Sequence, residues 1–143
     1  PGNGGTKGPK VENLNIDVTE IKRLRNFAID NAIDLTIVGP EVPLTMGIVD
    51  VFENHNLKCF GPRKAAAQLE GSKSFMKDFL KKHGIPTAKY ATFTDESWLG
   101  EIVKHVSELT YPIVIKADGL AAGKGVMIAN DYAEAFNAIG GVS

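Results

Sequence analysis

Two lysines and a run of glycines are the residues of this sequence whose types and spacing could do chemistry. From Tyr111 to Ala129 the chain reads YPIVIKADGLAAGKGVMIA: Lys116 closes one apolar run, and Gly119, Gly123 and Gly125 intervene before a second. Glycines accept the positive φ values that turn successive backbone N–H groups toward one point, so such a loop can close over a polyphosphate, with Lys116 adding a point charge. Lys124, at the loop tip, either helps to hold phosphate or faces solvent. Lys73 is a second candidate, because it falls in the first turn of a helix expected after Ser72. The helix dipole opposes a cation there, and an anion would give it a reason to be present.

Two phosphate motifs are excluded. A Walker A loop, G-x-x-x-x-G-K-[ST], needs glycine where Asp118 stands and Ser or Thr where Gly125 stands. A dinucleotide fingerprint needs a helix directly after its glycines, whereas Val126 to Ala129 reads as a strand. An ordinary hairpin with a long glycine-bearing loop would show the same residues, since glycine collects in turns. His55, His83 and His105 lack metal-ligand spacing. No Ser/His/Asp or Cys/His arrangement and no paired carboxylates suited to magnesium stand out, so no catalytic residue and no metal ligand is named.

The elements that must position these residues follow from periodicity and punctuation. Ile113 to Ile115 and Val126 to Ala129 read as two strands around the glycine loop. Earlier, Ile16 to Val18 could be a short strand, with Thr19 as cap of a helix carrying Ile21, Leu24, Phe27, Ala28 and Ala32. Leu35 to Val38 reads as a buried strand ending in the loop Gly39 to Leu44. A helix follows at Ile48, Val49 and Phe52, and Lys58 to Phe60 is a strand closed by Gly61-Pro62. Ala65 to Leu69 is a short helix. Ser72 then caps another whose Phe75, Met76, Phe79 and Leu80 fit a core face and which Gly84 ends. Ala88 to Phe93 reads as a strand, Thr94 as the cap of a helix through Leu109, and Asp131 as the cap of a last helix using Ala133, Phe136, Ala138 and Ile139.

Strands alternating with helices argue for an α/β chain: a partial doubly wound parallel-sheet domain over residues 1–87, then a small lid-like α/β unit over 88–143. Ligands of such sheets sit beyond the carboxyl ends of the strands, where both Gly-Pro loops lie. The 43% hydrophobic and 23% charged composition is that of an ordinary globular protein, and a net charge of −1 gives no electrostatic case for nucleic acid or membrane binding. No apolar run approaches the ~18 residues of a membrane span. The single cysteine, Cys59, excludes an intrachain disulfide and fits a reducing, cytoplasmic setting. Pro1 opens the sequence without an initiator Met, and a longer parent protein is expected.

The segments PGNGGT, DLTIVGPEVPL, CFGP, AAQLEGSKSFMKDFLKKHGIPTA and PIVIKADGLAAGKGV together resemble the glycinamide ribonucleotide synthetase family of the ATP-grasp superfamily. The resemblance implies a fragment of an ATP-dependent ligase of purine biosynthesis that joins glycine to 5-phosphoribosylamine through a glycyl phosphate. It implies that Lys73 and Lys116 meet ATP phosphates under a flap running from Gly119 through Gly123 and Lys124 to Gly125. It further implies that Gly2, Asn3 and Thr6, with Gly39, Pro40 and Glu41, line the phosphoribosylamine site. The family's first strand is expected before Pro1. Its magnesium-binding Glu and Asn residues are expected after Ser143, so the piece alone should be inactive. Another ATP-grasp carboxylate-amine ligase, or a nucleotide-binding module without a reaction, are the alternatives. Oligomeric state is left open.

Overall fold

The computed structural model of the chain describes residues 5–6, 8–94, 97–119 and 125–141. Its contacts divide the chain into two compact units, Pro1–Gly71 and Ser72–Ser143.

The first unit is built on a short parallel pair. Strands β1 (Thr36–Ile37) and β2 (Cys59–Phe60) run parallel with Thr36 opposite Cys59, and the N–H groups of Thr36 and Val38 extend the ladder to the carbonyls of Lys58 and Phe60. A parallel pair needs a crossover. Helices α2 (Glu41–Met46) and α3 (Ile48–Glu53) supply it, joined at Gly47, whose φ of +91° lies in the left-handed region that glycine tolerates. Helix α1 (Ile21–Asp30) precedes the pair and α4 (Lys64–Gly71) follows it. Ala28, Ile48, Val49 and Phe52 form the buried core, with Leu24, Leu44 and Leu57 packed on it. Asp50 of α3 accepts the first amide of α4, from Lys64, at 2.8 Å.

Several local expectations fail here. The strand expected to be buried at Leu35–Val38 is open, with Leu35 51% and Ile37 71% exposed, and Ala32 lies past the end of α1 with a positive φ of +47° rather than on its apolar face. Ile16–Val18 is not a strand: Asp17 accepts the N–H and hydroxyl of Thr19 at 2.8 and 2.6 Å, which makes a turn. That engages the Thr19 hydroxyl, so Glu20 rather than Thr19 occupies the cap position of α1. The loop expected from Gly39 to Leu44 is helical from Glu41 onward, because Pro40 and Glu41 are good residues for a helix start.

In the second unit the expected hairpin is present. Strands β3 (Ile113–Lys116) and β4 (Val126–Ala129) pair antiparallel with Lys116 opposite Val126, and the Ala117 N–H continues the ladder to the Gly125 carbonyl at 2.8 Å. One hairpin face packs on helices α6 (Leu99–Ser107) and α7 (Tyr132–Gly141), burying Val106, Ala129 and Ala135. The other carries Val114, Lys116, Val126 and Ile128 and is open; Ile128 is 66% exposed. Helix α5 (Lys73–Lys82) opens the unit. It ends as expected at Gly84, where φ is +65° and the Ile85 N–H reaches back to the Leu80 carbonyl at 2.9 Å.

Other details of this unit differ. Ala88–Phe93 forms no strand: among the described residues it pairs with none of the strands, and strand composition without a partner does not make a strand. Thr94 donates its N–H to Ser97 Oγ, and Trp98 rather than Thr94 holds the cap position of α6. Asp131 does cap α7 through the Glu134 N–H at 2.9 Å. On that helix Ala135 and Ala138 are buried, while Ala133 and Phe136 are exposed, with Phe136 stacked on Tyr132. Phe75 and Phe79 of α5 are 38% and 36% exposed, so its apolar stripe is half-covered rather than core.

Candidate functional site

The amino end of α5 and the end of β3 meet within the second unit. Ser72 has extended backbone, and its Oγ accepts the Phe75 N–H at 3.1 Å, the cap expected of a serine before an apolar-periodic run. The remaining donors of this helix end turn to Asp118. Its Oδ1 accepts the Lys73 N–H at 2.6 Å and the Ser74 N–H at 3.3 Å; its Oδ2 accepts the hydroxyls of Ser72 at 2.9 Å and Ser74 at 2.5 Å. The Gly119 N–H also reaches Oδ1, at 2.9 Å.

Electrostatics follow from this set. Burial works against the charged form of Asp118, but the Ser74 and Ser72 hydroxyls and the N–H groups of Gly119 and Ser74 outweigh it and hold the carboxyl well below the usual carboxylate range. A carboxylate thus stands at the positive end of α5. The side chain of Lys73, in the same turn, donates from Nζ to the Gly119 carbonyl at 2.7 Å. Gly119 has φ of +91°, a conformation strained for any residue with a Cβ. Part of the reason for a cation in this first turn therefore lies in the chain itself: Asp118 supplies the anion, and the Gly119 carbonyl receives the ammonium.

Lys116 is exposed and ends β3, two residues before Asp118, on the open hairpin face beside Val126. Gly119 and Gly125 bracket the glycine loop; Gly123 and Lys124 lie outside the described residues. In the first unit Gly39, Pro40 and Glu41 are exposed at the carboxyl end of β1, and Gly61 holds the corresponding place after β2. A Cβ on Gly39 would touch nothing within 4 Å. Glu41 lies in the first turn of α2, where the dipole favours a carboxylate whatever else it does. Thr6 donates its hydroxyl to Asn13 at 2.9 Å, and Gly2 and Asn3 lie outside the described residues. Among the described residues no group of three or more His, Cys, Asp or Glu side chains converges as a metal site would.

Sequence reasoning missed Asp118 and Ser74. The only local signal was the pair of serines flanking Lys73, and nothing local could point to a carboxylate 46 residues away.

Comparison with known proteins gives the class and then the family. The fold is similar to the biotin carboxylase domain of Hydrogenobacter thermophilus 2-oxoglutarate carboxylase, solved in complex with MgADP, ADP and bicarbonate, with a TM-score of 0.71 at 20% identity. That likeness covers 85% of this chain and 27% of the other, and it shows a shared α/β fold. Residues 1–70 match the phosphoribosylglycinamide synthetase N domain, and residues 71–142 match the ATP-grasp (A) domain of the same synthetase. The chain belongs to the phosphoribosylglycinamide synthetase family. It is 58% identical over 140 residues to the phosphoribosylamine-glycine ligase of Vibrio vulnificus and 58% identical over 133 residues to that of Clostridium acetobutylicum. These matches take in 97% and 92% of this chain but only 32% and 31% of the relatives, so the chain spans about a third of their length.

Proposed function

We propose that the chain is part of an ATP-dependent ligase that joins glycine to 5-phosphoribosylamine in purine nucleotide biosynthesis. The observation that carries this is the 58% identity, over 97% of the chain, to a relative named phosphoribosylamine-glycine ligase. In the proposed reaction a glycine carboxylate oxygen attacks the γ-phosphorus of ATP and ADP leaves. The phosphoribosylamine nitrogen then attacks the acyl carbon of the glycyl phosphate, and inorganic phosphate leaves as the amide forms. Such chemistry asks the protein to neutralise charge and hold groups in line more than to react covalently.

The residue roles proposed are those that the family resemblance implies. Lys73 and Lys116 hold the phosphates, and the loop with Gly119, Gly123, Lys124 and Gly125 covers them and excludes water. The open hairpin face, apolar at Val114 and Ile128 and cationic at Lys116, suits a ligand with an apolar base and a charged tail. Gly2, Asn3 and Thr6, with Gly39, Pro40 and Glu41, are assigned to phosphoribosylamine, backbone N–H groups toward its phosphate and Glu41 toward its ribose hydroxyls or amine. Magnesium would neutralise the phosphates, and its ligands are assigned to no residue of this chain. The unpaired Cys59 is consistent with work in the cytoplasm.

The full-length protein, given ATP, glycine and phosphoribosylamine, is expected to release phosphate in a glycine-dependent way, and residues 1–143 alone to release none. Phosphate release indifferent to glycine would remove the ligase assignment. Turnover by residues 1–143 would remove the view that this piece needs more of the protein.

A further inference from the structure

We propose that Asp118 is a positioning residue: by binding the amino end of α5 to the end of β3 it sets the Gly119 carbonyl on Lys73 Nζ and so aims the Lys73 ammonium at the phosphate oxygens of a nucleoside triphosphate. The proposal rests on the nucleotide reading above and adds to it a residue that does not itself touch the ligand.

The connection is continuous. The Asp118 carboxylate takes the Lys73 backbone N–H at 2.6 Å, which fixes where the lysine side chain starts. The next residue, Gly119, donates its own N–H to the same carboxylate at 2.9 Å and offers its carbonyl to Lys73 Nζ at 2.7 Å, which fixes where the side chain ends. Both ends of a long flexible chain are therefore tied to adjacent residues of one short turn. An ammonium has three N–H donors, and the Gly119 carbonyl takes one of them, leaving donors for phosphate oxygens.

Charge reinforces the geometry. An ammonium in the first helical turn is repelled by the positive end of the macrodipole, and a carboxylate at that end offsets the repulsion. Ser72 and Ser74 hydroxyls saturate Oδ2, so the carboxylate keeps this orientation rather than pairing with the nearby ammonium. Replacing the carboxylate by an amide keeps the shape and removes the charge. A merely structural clip would leave the selectivity of Lys73 unaltered under that change.

The test is labelling of the full-length protein with an amine-reactive ester, quantified lysine by lysine by mass spectrometry. Without nucleotide, Lys73 should label more slowly than the exposed Lys81 and Lys82 of the same helix. Asp118→Asn should raise Lys73 labelling about fivefold, leaving Lys81 and Lys82 unchanged. With MgATP added, the concentration that half-protects Lys73 should rise about tenfold in Asp118→Asn. Equal half-protection in both proteins, with nucleotide protecting each, overturns the role of Asp118 while the nucleotide reading stands. Tighter protection in the variant also overturns it, since the clip would then compete with phosphate. If MgATP protects neither Lys73 nor Lys116 in the unsubstituted protein, the nucleotide reading fails and the aim assigned to Lys73 falls with it. Should Asp118→Asn lose its circular dichroism, Ser74→Ala, which removes one hydroxyl and keeps the charge, carries the same two readouts at smaller size.

Discussion

Removing the Asp118 carboxylate should loosen one helix end by a measurable and pH-dependent amount. In Asp118→Ala the Lys73 and Ser74 amides lose the acceptor they now reach at 2.6 and 3.3 Å, while the Phe75 amide keeps Ser72 Oγ. Losing an end cap of this kind costs about 1 kcal/mol, and the exposure of Asp118 argues against a larger figure. That corresponds to roughly fivefold faster hydrogen exchange of the first-turn amides of α5 near neutral pH. The sign with pH is fixed by the direction of the shift. The folded carboxyl lies below its ordinary value of 3.8, so its contribution is present in full above that value and is lost as pH falls below it. Hydrogen exchange with mass spectrometry on peptides covering Lys73 to Phe79, corrected for intrinsic rates, should therefore give a variant-to-wild-type ratio that shrinks between about pH 5 and about pH 2.5. An unchanged ratio across that range, or no acceleration at pH 5, would refute the assignment of Asp118 as a charged cap.

Two changes in the first unit test its packing. A Cβ on Gly61 would stand 2.8 Å from Leu44 Cδ2 and 3.2 Å from Val49 Cγ2, and Val49 is fully buried, so Gly61→Ala should cost about 1–3 kcal/mol in urea unfolding. Asp50→Ala removes the acceptor of the Lys64 amide, at 2.8 Å, and should cost about 1 kcal/mol, read as a lower thermal midpoint by circular dichroism.

What could be read from the sequence was whatever a short window determines. The β3–β4 hairpin was legible because two apolar runs flank a glycine loop, and α5 because Ser72 and Gly84 punctuate it at both ends. The parallel pairing of β1 with β2 followed from strands separated by a helical stretch. What failed depended on partners outside the window. Ala88–Phe93 has strand composition, but a strand is a pairing and not a composition. Ile16–Val18 has it too, yet Asp17 engages Thr19 first. On α7 periodicity gave a helix, but which alanines are buried is decided by β4 and α6, and those choose Ala135 over Ala133.

Lys73 illustrates the same limit at the candidate site. A cation in a first helical turn is a local electrostatic anomaly, and the anomaly demands an anion without saying whose. A ligand and a distant side chain satisfy the demand equally well from the viewpoint of the sequence. The structure resolves part of this, because Asp118 already provides the charge and the Gly119 carbonyl already receives the ammonium. A lysine side chain carries about 2 kcal/mol of rotamer entropy, and here most of that ordering is completed on folding. The lysine reads as a phosphate ligand in sequence, and in the fold one of its ammonium donors goes to the Gly119 carbonyl; under the proposal above, that internal contact is what holds the ammonium in place. A cation ordered in advance gives up little freedom on meeting an anion, which is the physical advantage of compensating the helix dipole from within the chain.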